Sequence, residues 1–437
     1  MLIEFSFENY LSFKDKATLS FLIAGTKDKY PGRYMLEVEQ GRYSLSPFAA
    51  LYGKNASGKS NVIKALKDFV RLILSSHKLD LDAPIPAYKP YKLDVNSRTA
   101  PVSFDAEFVV EGVRYSFHLR IDRLSILEEK LDFFPKGRRT LLYSRVKGNA
   151  IKFGNSFKGA PRSIEQHLRD NVLFLSMAVS MNNELLKPIY RYFQTQYEFH
   201  VAMDSREHIV IETTLKLLKE QGKSTPYKNV ILGFLNAADI SVSDIIIQKN
   251  EELAKRLPFP IEMPQQEKDE IIETLANRPL LGHKVYDVQK DTGETVFLDL
   301  GGEESGGTIK MYELAGEVVD ALQEGGMLFI DEFNSGLHPQ LCEYIIGLFR
   351  KKSTNPHGAQ LVVVNHDTNL MAQDDIYRDE IWLVDRNEYG ESELYSIDEF
   401  SKNEVRKGTN LEKWYLDGRF KAIPSIFPSE FKLEISK

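Results

Sequence analysis

The chain has 437 residues, of which 42% are hydrophobic and 27% charged, with a formal net charge of −7. This size and composition leave room for a full apolar core and two or three domains, and they exclude a wholly disordered chain. The excess of acid argues against a protein that coats nucleic acid indiscriminately. The single cysteine, Cys342, excludes an internal disulfide and fits a reducing cytoplasm.

The amino terminus, Met1 to Phe7, lacks the basic stretch and apolar run of a secretory leader, so none is expected. No segment reaches the ~18 apolar residues of a membrane span. Phe48 to Tyr52 is a short apolar run of the kind a buried parallel strand requires. It leads into Gly53-Lys54-Asn55-Ala56-Ser57-Gly58-Lys59-Ser60, a complete G-x-x-x-x-G-K-[ST] loop. From Asn61 a helix begins, with apolar positions at Val62, Leu66, Phe69, Val70 and Ile73. Glycines let such a loop turn its N–H groups toward phosphates, and the helix amino terminus adds positive potential. Lys59 would reach the β- and γ-phosphates of a nucleoside triphosphate, and Ser60 would offer a hydroxyl to Mg²⁺.

Val102 to Val110 and Val113 to Leu119 flank Glu111-Gly112 and predict a β-hairpin. Residues from about 163 to 195 read as helical. Those from about 204 to 280 mix short helices with a proline-rich break at Pro258-Phe259-Pro260 and Pro264. No heptad pattern persists through them, which excludes a long coiled-coil arm. The net charge does not exclude a local basic groove, for which Lys136 to Arg139 and Arg350 to Lys352 are the candidates, although such clusters are more often solvated faces. A second hairpin is expected from Val285 to Leu300, reversing at Asp291-Thr292-Gly293-Glu294.

That hairpin leads into Glu304-Ser305-Gly306-Gly307-Thr308 and an amphipathic helix with Met311, Leu314, Ala315, Val318 and Leu322 on its apolar side. A Ser-Gly-Gly turn that caps a helix is a second anion site of the same physical kind as the first. Met327 to Ile330 is a buried strand ending in Asp331 and Glu332, where an open α/β sheet places its ligand chemistry. Asp331 would hold Mg²⁺ through its water shell, and Glu332 would orient or deprotonate the attacking water. Asn334-Ser335-Gly336-Leu337-His338-Pro339 follows, and then a further buried strand, Leu361 to Val364, leading through Asn365 to His366.

The series of phosphate loop, Ser-Gly-Gly turn, acidic strand, Ser335 turn and His366 resembles the head of ABC-type ATPases. The resemblance implies an α/β fold: an ABC-type P-loop ATPase head with an antiparallel β-subdomain and a mainly helical insertion. It divides the chain into an amino-terminal lobe (1–162), the insertion (163–284) and a carboxy-terminal lobe (285–437). It also implies that Ser305, Gly306 and Gly307 contact the γ-phosphate held by an opposite subunit, with Ser335 in the D-loop. His366 would be the switch histidine that hydrogen-bonds the γ-phosphate. Two departures are visible: Thr308 stands where glutamine is commoner, and no leucine precedes Ser305. One copy of each element implies two chains meeting head to tail, each completing the other's ATP site.

Phe7-Glu8-Asn9-Tyr10-Leu11-Ser12-Phe13 and the loop extended to Asn61 resemble RecF and structural-maintenance-of-chromosomes (SMC) heads. Closer still are the single-head ATPases of bacterial abortive-infection and antiphage systems. These are the AbiL/RloA type, the PARIS ATPase subunit, the Septu ATPases and the amino-terminal half of the OLD nucleases. Tyr415 to Pro424 resembles a closing segment of the AbiL/RloA group, with Lys421 in place of a commoner glycine. The resemblance implies a cytoplasmic ATPase using ATP and Mg²⁺. It would form homodimers or higher oligomers and control a separately encoded effector such as a nuclease, with DNA or a phage protein as trigger. The segment after His366 is shorter than the ~100–150 residues of a typical domain, so no nuclease site is expected within it. A RecF-like repair ATPase that clamps DNA is the alternative, and a transporter subunit is disfavoured by the Phe7 to Phe13 segment.

Overall fold

A computed structural model describes residues 1–23, 34–38, 43–158, 161–200, 210–219, 227–249, 268, 277–373, 375–400 and 410–423. The Pro258 to Pro264 break and Pro424 lie outside the described residues. The chain divides into two compact units, Met1–Tyr197 with Val362–Lys437, and Glu198–Leu361. No helix among the described residues is long and apolar enough to cross a membrane.

The first unit contains a seven-stranded antiparallel sheet. Its order is Lys152–Phe153, Thr140–Val146, Ile126–Phe133, Val113–Ile121, Val102–Val110, Leu2–Glu8 and Ala17–Ser20. Along Val102–Val110 the first seven residues alternate inward and outward, and Phe104, Ala106 and Phe108 form the buried face. Val110 pairs with Val113 across Glu111 and Gly112, whose φ values of 50° and 76° suit the tight turn read from the sequence. This is the expected antiparallel β-subdomain.

The helix Lys59–Ser75 buries Val62, Leu66, Phe69, Val70 and Ile73, the stripe read from its sequence. Phe69 inserts its ring into the sheet's aromatic face, with centroids 5.5 Å from Phe5, 5.9 Å from Phe104 and 5.7 Å from Phe117. Burying such a side chain is worth about 1.5–3 kcal/mol, so this ring anchors the helix to the β-subdomain. The fully buried strand Phe48–Tyr52 pairs in parallel with Ile381–Arg386, placing Leu383 opposite Tyr52. Ile381–Arg386 pairs antiparallel with Ser392–Ser396. On the other side of Phe48–Tyr52 lies Val362–Val364, the end of the strand Gln360–Val364.

Three short helices, Pro161–Gln166, Phe174–Ser180 and Lys187–Thr195, occupy the segment read as helical. Fully buried Glu129 accepts hydrogen bonds from Phe174 N (2.6 Å), Leu175 N (3.0 Å) and Tyr143 OH (2.8 Å). Its carboxylate thereby satisfies two of the amides that a helix start leaves open.

In the second unit the helix Gly306–Glu324 packs against Val210–Lys219. Thr214 Oγ1 donates to Tyr312 O and accepts from Gly316 N, both at 3.0 Å. A Cβ on Gly316 would fall 2.4 Å from that oxygen, so the close approach requires glycine. The strand Met327–Ile330 is buried throughout, and Phe329 stacks on Phe199 at 4.9 Å. Between those two helices in the chain lie the helix Tyr227–Ala237 and a three-stranded sheet of Asp244–Lys249, Asn277–Asp287 and Lys290–Asp299.

The second hairpin differs from expectation at its turn. Asp287 pairs with Lys290, so the chain reverses at Val288 and Gln289, both left-handed with φ 44° and 67°. Asp291-Thr292-Gly293 lies inside the second strand, where Asp291 Oδ1 accepts from Gly293 N at 2.8 Å. The aspartate–glycine signal therefore makes a kink in the strand while cross-strand pairing extends past it.

Candidate functional site

The phosphate loop follows Phe48–Tyr52 at the carboxyl end of its parallel strands. Gly53, Ala56 and Gly58 have φ values of 149°, 59° and 111°. A Cβ on Gly53 would lie 2.1 Å from Val384 O, so the neighbouring strand leaves no room for a side chain. Lys59 is buried, and its Nζ donates to Gly53 O (2.9 Å) and Lys54 O (3.0 Å), curling the ammonium over the loop. Gly58 caps the helix without a side-chain hydrogen bond, and the first turn carries no acid. The turn is thus electrostatically open to an anion. Ser57 is fully buried, and its Oγ has no hydrogen-bond partner among the described residues. Asn55 and Ala56 are exposed, and Ser60 and Asn61 are half-buried.

Residues far away in sequence hold this loop, and sequence reasoning missed them. Asn61 Nδ2 donates to Ser12 Oγ at 2.8 Å, and Ser12 O accepts from Ser392 N at 2.8 Å. Ser392 Oγ donates to Ser57 O at 2.5 Å. Lys54 pairs with Asp385 at 3.0 Å, and Arg386 Nη1 donates to Ala56 O at 3.2 Å. Ser12 belongs to the Phe7 to Phe13 segment noted for its resemblance. That segment is fixed by Asn9, whose Nδ2 donates to Ser97 O, Ala100 O and Pro101 O, and by Tyr10 OH bonding Asp68 at 2.6 Å. No local sequence signal marks Asp385, Arg386 or Ser392.

His366 also belongs to this unit. Buried Asn365 donates its N–H to Leu51 O (3.0 Å) and its Nδ2 to Tyr52 OH (3.2 Å), fixing the strand end beside the phosphate-loop strand. The next residue, His366, is exposed at that carboxyl end. The closing segment packs here too, with Tyr415 6.2 Å from Tyr52 ring to ring and its OH bonding Ala422 O. Lys421 has φ 58°, a left-handed conformation that glycine adopts at lower cost, which accounts for glycine as the commoner residue at that position and makes lysine the costlier choice.

The second unit carries Ser305, Gly306, Gly307, Asp331, Glu332 and Ser335. Asp331 is buried at the strand end; its N–H donates to His200 O (2.8 Å) and its Oδ1 accepts from Glu332 N (3.1 Å). Glu332 is exposed and left-handed, with φ 52°, a conformation that costs a residue with a Cβ of order 1–3 kcal/mol. The strain turns the chain sharply, and Ser335 N donates to Glu332 O at 2.9 Å. Ser305 is exposed and caps its helix, accepting from Thr308 N at 3.1 Å, while the two hydroxyls lie 2.9 Å apart. Thr308 therefore reinforces the cap at the position where glutamine was commoner. A Cβ on Gly307 would stand 3.7 Å from Gly336 O, so the glycine turn and the Ser335 turn are neighbours.

Behind the acidic strand lies a group of buried and half-buried titratable side chains. Lys310 contacts His200 Nε2, and His200 Nδ1 stands 3.3 Å from Glu317 Oε2 without hydrogen-bond alignment. Burial pulls the Lys310 ammonium below its usual range, against the opposing pull of Glu313, Glu317 and Glu332. Glu198 is pushed up to about 7 by burial and by the negative charges of Glu317 and Asp320.

A family model described as "AAA domain, putative AbiEii toxin, Type IV TA system" matches residues 48–372. Among solved structures the chain is similar to the "SmcHead bound to the C-winged helix domain of ScpA". The identity is 12%, covering 90% of this chain and 97% of that one, with a TM-score of 0.44. It is also similar to the "SMC head domain from Thermotoga maritima", at 13% identity, 90% and 98% coverage and a TM-score of 0.36. No curated protein matches the chain by sequence.

Proposed function

The chain belongs to the AAA-domain family whose model spans residues 48–372, and from that premise we propose that it binds ATP with Mg²⁺ and hydrolyses it. The observation that carries the reading is the phosphate loop: three left-handed residues, an uncapped helix start free of acid, and Lys59 folded onto loop carbonyls. Phosphate oxygens would compete with those carbonyls for the ammonium. In this reading Lys59 neutralises charge on the β- and γ-phosphates and the loop amides cradle the α- and β-phosphates. Glu332 positions the water, and His366 donates to the γ-phosphate. Ser60 and Asp331 offer hard oxygen donors of the kind Mg²⁺ prefers, and the ion would offset charge developing on the transferred phosphoryl group.

The working unit we propose is a head-to-tail dimer, or an oligomer of such dimers. In it Ser305, Gly306, Gly307 and Ser335 meet the nucleotide bound by the partner copy, and the exposure of Ser305 supports this. Further, we assign the chain to an antiphage defence system in which it restrains or releases a separately encoded toxic effector such as a nuclease. The flanking Phe7 to Phe13 and Tyr415 to Pro424 segments support that role, as do the toxin and type IV system named in the family description.

Glu332→Gln tests the core of the proposal. With ATP and Mg²⁺ the variant should hydrolyse at least a hundred-fold more slowly and show twice the monomer mass by light scattering. Hydrolysis at the parent rate would remove Glu332 from the mechanism; slow hydrolysis by a persistent monomer would remove the dimer. Co-purification with the product of a neighbouring gene tests the effector, and a chain that stays alone and confers no phage resistance alongside its neighbours rejects it.

A further inference from the structure

Among the exposed apolar side chains of the first unit are Leu93 (61% exposed), Val95 (76%) and Tyr389 (70%). Two of them meet on one turn. The strand Ile381–Arg386 runs parallel to Phe48–Tyr52, and its continuation, Asn387 to Glu391, passes the carboxyl end where the phosphate loop begins. That turn is bonded to the loop at several points. Arg386 donates from Nη1 to Ala56 O and from Nε to Gly390 O, and Lys54 Nζ donates to Arg386 O at 2.6 Å. Ser392, which follows the turn, holds Ser57 O and is tied through Ser12 to Asn61 at the start of the helix.

The turn is rigid as well as adjacent. Asn387 Oδ1 accepts from Tyr389 N (3.0 Å) and Glu391 N (2.9 Å), and its Nδ2 donates to Glu391 Oε2 (2.8 Å). Buried Tyr91 donates its hydroxyl to Tyr389 O at 2.8 Å. Leu93 lies against Gly390, where a Cβ would meet its Cδ1 at 2.5 Å. A polar rim borders the patch: Lys14 pairs with Glu391 at 2.9 Å and with Asp94 at 3.6 Å. An aromatic ring with an open face, an aliphatic neighbour and a polar rim, on backbone locked to a phosphate cradle, match the needs of a nucleobase. A base offers a flat apolar face and polar edges, and an aromatic ring stacks on it whatever its sequence of edge groups. Ligands of open α/β sheets lie at this end of the strands.

We propose that Tyr389, flanked by Leu93, is the platform on which the base of the bound nucleotide stacks. This rests on the nucleotide-binding reading above and adds to it the group that holds the nucleoside end. Tyr389 thereby acts on affinity for the base alone, while the phosphate loop serves the polyphosphate.

The test compares ATP with inorganic tripolyphosphate, each titrated with Mg²⁺ into the full chain and followed by calorimetry. Tyr389→Ala should weaken ATP about five- to a hundred-fold, the range that base–aromatic stacking supplies, and leave tripolyphosphate unchanged. Tyr389→Phe should bind ATP within two-fold of the parent, because the ring and not its hydroxyl does the stacking. ATP affinity indifferent to Tyr389→Ala, or equal weakening of both ligands, overturns the platform. In either case binding that Lys59→Ala abolishes leaves the nucleotide reading standing. A parent chain that binds neither ligand overturns both.

Discussion

Gly58→Ala isolates the packing that shapes the phosphate loop. The residue sits at φ 111°, and a Cβ there would stand 2.5 Å from Ser12 Oγ, 2.8 Å from Ser392 Oγ and 3.3 Å from Phe13 Cε2. Two costs add. The left-handed backbone costs an alanine about 1–2 kcal/mol, and forcing a methyl into a filled site costs about 1–3 kcal/mol. The expected loss is therefore about 2–5 kcal/mol. Both tryptophans, Trp382 and Trp414, lie in the first unit, so urea unfolding followed by tryptophan fluorescence reports on that unit. Removing the two hydroxyls with Ser12→Ala and Ser392→Ala relieves the steric part but leaves the backbone part. By themselves these changes forfeit the bonds to Asn61 and Ser57 O, each worth about 1 kcal/mol. The triple variant should then be more stable than the sum of the separate losses by about 1–3 kcal/mol. Strict additivity would refute the claim that the two serines fill the space a side chain at residue 58 would need.

The remaining predictions concern charge. Lys59→Ala should weaken ATP binding by about 2–5 kcal/mol, since a desolvated charge is lost from the phosphates; calorimetric titration giving the parent affinity would show that the loop does not hold phosphate. Glu198 titrates near 7 in the folded chain, above its unfolded value, so its charge destabilises the fold fully above pH 7 and not at all below about pH 4.5. Glu198→Gln should therefore stabilise the second unit at pH 8, by at most about 3 kcal/mol, with the gain shrinking toward zero at pH 4.5. Thermal melts showing the same gain at both pH values would place its origin elsewhere.

What the sequence made legible was local. A five-residue apolar run, a glycine loop and a helix with a 3–4 stripe are each written in adjacent residues, and the structure reproduces the buried strand Phe48–Tyr52, the Lys59–Ser75 helix and the Ser305 cap. The second hairpin turn was misplaced because Asp291-Gly293 is a strong reversal signal in isolation. Continued pairing of Tyr286 with Asp291 moves the reversal to Val288 and Gln289, and neither of those residues advertises a left-handed backbone. The support of the phosphate loop was illegible for a different reason. Ser12, Arg386 and Ser392 touch it across separations of tens to hundreds of residues, through single hydrogen bonds that leave no periodicity behind.

Those long-range bonds bear on how the site works. The amino-terminal segment is fixed to the sheet by Asn9 and Tyr10, passes Ser12 to Asn61, and meets the turn that follows Arg386. The loop is thus hydrogen-bonded from both sides, so in the proposed binding mode its amides and left-handed residues need little reordering to meet a phosphate. A polyphosphate bound as proposed would compete with the two loop carbonyls for the Lys59 ammonium. Preorganisation of this kind lowers the ordering cost of binding. On the proposed reading Ser12→Ala should therefore lower nucleotide affinity, because it releases the side chain of Asn61 and one wall of Gly58 together.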